Sequence, residues 1–172
     1  MKTFSKRQEL LDMLETLFNA ANWFALPFWA LMILLPGWKV TRRVMESLLP
    51  IALLATVYLY LLVTGFNANA LQEFSNPQLS LNSLTSLFSQ PSVMATGWVH
   101  YIVMDLFVGR WIFLEGWEKR VWTTHSLLLC LFAGPVGLLS HLLTVTVVQG
   151  IRKGRPGVVG SDQSAEVPQE SS

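Results

Sequence analysis

The sequence predicts an all-α integral membrane protein: a four-helix bundle with an N-terminal interfacial helix and a disordered C-terminal tail. Three observations carry this reading. Of the 172 residues, 52% are apolar and only 13% charged, about half the charged share of roughly 25% in soluble domains. The mean hydropathy is +0.43. Four apolar stretches each approach the roughly 20 residues that cross a hydrocarbon core as helix. The same composition excludes other classes. Disordered chains are poor in apolar residues and rich in charge. A single cysteine, Cys130, removes a disulfide scaffold. A net charge of +1 argues against a nucleic-acid partner, which requires clustered cations.

Residues 1–16 carry Phe4, Leu10, Leu11 and Leu14 at helical spacing, with Lys6, Arg7, Glu9, Asp12 and Glu15 between them. That pattern predicts an amphipathic helix at the membrane interface. Its acidic residues and the full-length span that follows do not suit a cleaved leader. The membrane domain is predicted over 17–149, with spans at about 17–36, 47–64, 94–114 and 125–149. None shows the period-two alternation of a membrane barrel. The connection 37–46 is short and holds Lys39, Arg42 and Arg43; 65–93 is long and rich in Asn, Ser and Leu; 115–124 is short and mixed in charge. Gly134-Pro135-Val136-Gly137 predicts a kink in the fourth span, and Pro27 another in the first, since proline removes a backbone donor. Residues 150–172 are Gly-, Ser- and Pro-rich and are predicted disordered.

Four alternating spans put the N-terminus, the long connection and the C-terminus on one side. Lys2, Lys6, Arg7, Arg152, Lys153 and Arg155 then oppose Lys39, Arg42, Arg43, Arg110, Lys119 and Arg120. The positive-inside rule is tied on that count. Trp38, Trp111, Trp117 and Trp122 gather at the second side, where indoles anchor at headgroup level.

Ionisable groups at bilayer depth cost about 2.5–3.5 kcal/mol on the insertion scale, so each calls for a partner or a purpose. The third span holds His100, Asp105 and Arg110. Asp105 shares a helical face with Tyr101, Gly109 and Trp98, and Gly109 permits close approach of another helix. Asp105 is therefore predicted to face the bundle interior near the midplane. By the 1.5 Å rise, His100 lies ~9 Å and His141 ~12 Å inside the first side, at depths comparable to Asn22, Tyr58 and Tyr60. Arg110 and His125 form a second layer near the opposite side. Each has a plain structural alternative: His125 as an interfacial cap, Arg110 snorkelling, Asn22 and the tyrosines as interhelical hydrogen bonders. No metal-ligand spacing, catalytic triad or phosphate loop is present, and Cys130 sits in an apolar run as an inert thiol.

The run Trp98-x-His100-x-x-x-x-Asp105-Leu106-Phe107-x-x-Arg110 resembles the neoxanthin synthase, or abscisic-acid-deficient-four-like, family. So do His125-Ser126, Leu129-Cys130-Leu131, Pro135-Val136-Gly137-x-x-Ser140-His141, Leu26-Pro27-Phe28, Met45-Glu46-Ser47 and Tyr58-x-Tyr60-Leu61-Leu62. The resemblance covers roughly residues 25–148. It implies a small multi-helix membrane protein of plastids or cyanobacteria, acting in carotenoid metabolism on a xanthophyll or related polyene lipid. Its plant members serve the conversion of violaxanthin to the allene neoxanthin, a non-redox isomerisation with no cofactor. Thr124 before His125, where the plant pattern has a basic residue, suits a cyanobacterial-type homologue in a thylakoid or plasma membrane.

Opening an epoxide to an allene needs an acid at the oxygen and a base at the carbon that loses its proton. Asp105, His100 and His141 have that chemistry, and Arg110 suits a developing alkoxide. The competing readings are a non-catalytic carotenoid, chlorophyll or haem binder, with His100 and His141 as axial ligands, and a proton relay built on Asp105. Four spans without a repeat are few for alternating access.

Overall fold

The computed structural model describes residues 2–65, 72, 75 and 80–153. Among them there are seven helices and no strand: α1 (Lys2–Leu34), α2 (Lys39–Glu46), α3 (Leu49–Gly65), α4 (Leu81–Phe88), α5 (Pro91–Lys119), α6 (Thr124–Phe132) and α7 (Gly134–Lys153). The tail predicted disordered lies outside the described residues from 154 onward. α1, α5 and α7 are each long and apolar enough to cross a membrane, and α2 and α3 pass the same test as a pair bent by 44°.

Local chemistry sets the breaks. The N-terminal segment is helical, as the sequence predicts, and runs into the first span within α1; Pro27 lies inside this helix. Pro36-Gly37 ends α1, and the Thr41 hydroxyl donates to Leu35 O at 2.9 Å across the turn. The connection 37–46, expected as a loop, is the short helix α2, which buries Thr41 and Met45. Its cationic residues face outward. Pro50 occupies the first turn of α3, where its missing N–H costs no intrahelical bond. Within the long connection, Ser80 caps α4 by accepting from Ser83 N at 3.2 Å. Pro91 opens α5, and Arg120 closes it in the left-handed region at φ 54, with Val121 N bonded back to Gly116 O at 2.9 Å.

α5 is the central rod, packed against α1, α3, α6 and α7. Trp29, Met32, Leu54, Leu61, Val99, Leu106, Ile112 and Phe113 bury the seam. Gly109 lets the Trp29 ring seat directly on the α5 backbone, as its small size predicts. α1 runs parallel to α5, because Asn22 meets Trp98 and Pro36 meets Trp117. α3 runs antiparallel: Gly65 lies against Ser92 and Thr96, and Tyr58 against His100.

The predicted fourth span requires correction. The chain reverses at Ala133, so residues 125–149 form a helical hairpin instead of one kinked helix. Gly137 packs on the Cys130 backbone, Ser126 and Ser140 share a hydrogen bond at 3.0 Å, and His125 meets Thr144 at 2.9 Å. α6 descends along α5 from its C-terminal end, and α7 returns to that same end, where Arg152 donates to Lys119 O and Arg120 O at 2.6 and 2.8 Å. Ala133 takes extended angles (φ −157, ψ 91), which end α6, and Pro135 starts α7. A Gly-Pro pair reads in sequence as a kink; here it is a full reversal.

The reversal changes the sidedness. The end of α7 lies with Lys119 and Arg120, opposite the N-terminus of α1, whereas strict alternation of four spans places both termini together. Lys39, Arg42, Arg43, Lys119, Arg120, Arg152 and Lys153 now gather at one end, against Lys2, Lys6 and Arg7 at the other. The tie is broken, and the cations concentrate at the Lys119 end. Single cysteines placed at Lys39 and Lys153 in a Cys130→Ser background are therefore expected to label from one face, and one at Ser5 from the opposite face. Labelling of positions 5 and 153 from the same face contradicts the hairpin.

Candidate functional site

A cavity of about 410 Å³ lies between α1, α5 and the hairpin turn. Asn22, Leu26 and Trp29 line it from α1, Trp98, Tyr101, Ile102 and Asp105 from α5, and residues 131–135 from the turn. The three α5 residues Trp98, Tyr101 and Asp105 project together because spacings of three and four share one helical face. Tyr101 is 60% exposed and Phe132 85% exposed, so the cavity opens onto the outer, apolar surface of the helix cluster.

Asp105 stands midway along α5, half-buried, with its carboxylate against the backbone of Gly134 at the start of α7. A helix end at membrane depth exposes donors that water cannot satisfy. Here Gly134 faces the Asp105 carboxylate, Pro135 has no N–H, and Val136 and Gly137 donate to Ala133 O at 3.0 and 3.1 Å. The positive end of the α7 dipole in turn favours the carboxylate. Gly134 has no room for a side chain, since a Cβ there overlaps Asp105 Oδ1. Across the cavity, Asn22 Oδ1 accepts from Trp98 Nε1 at 3.1 Å while its amide donates to Phe18 O at 2.7 Å. The Asn22 side chain is thereby fixed between α1 and α5. Tyr101 keeps its hydroxyl free of hydrogen bonds among the described residues.

The other predicted site residues lie elsewhere. His100 projects toward α3, its ring 5.3 Å from that of Tyr58. His141 is fully buried against Trp111, and its Nε2 hydrogen-bonds Glu115 Oε2 at 2.6 Å. Trp111 and Glu115 lie about 17 and 23 Å beyond His100 along α5 at 1.5 Å per residue. The expected shared layer of His100 and His141 is therefore absent, because α7 runs parallel to α5 and not antiparallel. Two histidines so far apart cannot ligate one haem iron. Arg110 donates through Nε to Met45 O and through Nη2 to Glu46 O at 3.1 Å, which caps the C-terminal carbonyls of α2. Its expected partner His125 instead joins the two limbs of the hairpin through Thr144. Tyr60 reaches Met13 Sδ at 3.4 Å.

Sequence reasoning missed two participants. Trp29 walls the cavity, and its signal was the Gly109 notch that receives it. Glu115 binds both His141 and Lys119, the latter at 2.7 Å; assigning it to a connection hid an acid still inside α5. Among the described residues no group of three or more metal-ligating side chains occurs.

A family model described as ABA DEFICIENT 4-like matches residues 16–141, which runs from within α1 into the first half of α7 and takes in the whole cavity. The chain belongs to the ABA DEFICIENT 4-like family. Among curated proteins it is similar to "Protein ABA DEFICIENT 4, chloroplastic" of Arabidopsis thaliana, with 33% identity over 137 residues, covering 78% of this chain and 62% of that relative. The chain thus spans less than two thirds of that relative's length. No solved structure matches it. The family match ends at His141, so it includes every residue the sequence singled out as a site candidate.

The Asp105–Gly134 contact generates a paired expectation. Gly134→Ala forces the carboxylate away from the turn and is expected to cost about 1–3 kcal/mol, the range for overpacking a tight site. Gly150→Ala, with nothing within 4 Å of the added carbon, is expected to be neutral or to stabilise α7 by up to about 1 kcal/mol. Thermal unfolding in detergent checks both; equal midpoints for the two variants contradict the packing described.

Proposed function

We propose that this protein acts on a carotenoid within the membrane, as a non-redox isomerase that opens an epoxy-carotenoid end group toward an allene. We further place it in the thylakoid or plasma membrane of a photosynthetic bacterium. Membership of the ABA DEFICIENT 4-like family supports carotenoid metabolism as its setting. The observation that carries the reading is a carboxylate, Asp105, at mid-membrane depth in an aromatic cavity open to the lipid-facing surface. A polyene dissolved in the bilayer reaches such a cavity sideways, without crossing water.

In this mechanism the cavity takes the oxygenated end ring, walled by Trp29 and Trp98. Asp105, as a carboxylate, removes the proton from the carbon next to the epoxide. The carbon–oxygen bond breaks as the new double bond forms. The oxygen takes a proton from a donor beside it, and Tyr101, one helical turn before Asp105 on the same face, fills that role. Return of the proton from Asp105 to the tyrosinate restores both groups, so atoms and electrons balance without a cofactor. The reading keeps Asp105 from the sequence-based set. His100 supports α3, Arg110 caps α2, and His141 with Glu115 ties α7 to α5, which makes them positioning residues.

A second reading has its own support. The Gly134 contact gives Asp105 a structural task, as in a pocket that binds a pigment without changing it. Co-expression in a violaxanthin-producing bacterial host, followed by pigment chromatography, separates the two. The isomerase reading expects a new product of unchanged mass with the wild type. Asp105→Asn, which keeps an oxygen against Gly134, and Tyr101→Phe are each expected to lower the yield at least about 100-fold, the low end for losing an acid–base group. Unaltered pigment that co-purifies equally with wild type and Asp105→Asn supports the binder; unaltered pigment that does not co-purify contradicts both.

A further inference from the structure

A second cavity of about 280 Å³ lies at the cationic end of the helix cluster, remote from Asp105. It sits where α1 and α5 end and α6 begins. Two indoles, Trp117 and Trp122, form its walls, and Arg120 and Thr123 contribute polar groups. Three independent features of this cleft point to an anion.

The first is the start of α6. Thr123 occupies the N-cap position but makes no side-chain cap hydrogen bond. Leu127 N is the first amide to bond back, to Thr123 O at 2.9 Å. The amides of the preceding three residues therefore point out of the helix end, the arrangement that receives phosphate and sulfate groups. The second is the Thr123 side chain. It is only 6% exposed, its methyl is wedged against Gly116, and its hydroxyl has no hydrogen-bond partner among the described residues. The residue is buried while its unpartnered hydroxyl opens into the cleft beside the free amides. The third is Arg120, held at φ 54 by the turn that ends α5. Its carbonyl accepts from Arg152, while its guanidinium forms no ion pair or hydrogen bond among the described residues. The neighbouring acid Glu115 is already engaged by Lys119 and His141, and Glu46 by Arg42.

The geometry points to a binding site for the headgroup of an anionic membrane lipid, its phosphate or sulfonate held by Arg120, the Thr123 hydroxyl and the first amides of α6. The occupant is a lipid because the cleft walls are indoles at headgroup level. Trp122 is 70% exposed and offers its face to a glycerol backbone and upper acyl chain. Charge complementarity agrees, since this end carries most of the cations, which attract anionic headgroups. The site serves the fold as well as the membrane: the lipid caps α6, the first limb of the hairpin whose turn carries Gly134.

Native mass spectrometry of the detergent-solubilised protein, titrated with phosphatidylglycerol or phosphatidylcholine, tests this. The wild type is expected to retain phosphatidylglycerol in preference to phosphatidylcholine. Thr123→Val keeps the methyl on Gly116 and removes only the hydroxyl; Arg120→Gln removes the charge. Each is expected to weaken phosphatidylglycerol retention by about tenfold, the share of one charge-assisted hydrogen bond. Arg43→Gln, which removes a cation of the same end outside the cleft, is expected to leave retention within about twofold. Equal retention of the two lipids, or equal loss in all three variants, overturns the proposal. Inorganic phosphate competing away the lipid at equal concentration also overturns it, by marking a free-anion site.

Discussion

One contact organises the membrane core of this protein: the Asp105 carboxylate lies against Gly134 at the start of α7. Each partner is unfavourable at bilayer depth without the other. A carboxylate there costs about 2.5–3.5 kcal/mol, and an unsatisfied amide a further 1–3 kcal/mol or so. Broken helices persist inside membranes only where protein or a cavity satisfies the freed backbone. Asp105 faces Gly134, Pro135 removes one donor outright, and Ala133 O takes the amides of Val136 and Gly137. The reversal at mid-depth follows from that accounting, and so does the cavity, which is the space left beside the turn.

The rest of the architecture follows from α5. It presents Asp105 to the turn, Gly109 to Trp29, Arg110 to the carbonyl end of α2, and Glu115 to His141. These contacts fix three neighbouring elements, α1, α2 and α7, along one rod. Because the hairpin returns to the end it started from, cations collect at that end, and the same residues that orient the protein frame the indole-walled cleft. The two cavities therefore occupy opposite ends of α6, one at its C-terminus in the apolar depth and one at its N-terminus among headgroups.

The helical membrane architecture was legible in the sequence because it rests on length and apolarity, which the bilayer imposes on any span. The position of Asp105 was legible too: a lone carboxylate on the face of Tyr101 and Gly109 has few places to go. What the sequence did not disclose depends on direction. Gly134-Pro135 marks a break, but whether the chain bends or reverses is decided by Ala133's extended backbone and by the carboxylate waiting on α5. Reading the break as a kink put His141 at the depth of His100 and joined Arg110 to His125. Both pairings dissolved once α7 ran parallel to α5. Glu115 was hidden for a related reason, since helix ends are blurred in sequence and α5 continues through Lys119.

The amide-proton exchange rate of Gly134, measured by NMR on the full chain in detergent micelles, tests the central interaction most directly. The account predicts slow exchange in the wild type and in Asp105→Asn, which keeps a side-chain oxygen against Gly134, and exchange at least about tenfold faster in Asp105→Leu. A Gly134 amide that exchanges at the same rate with Asp and with Leu at position 105 contradicts it.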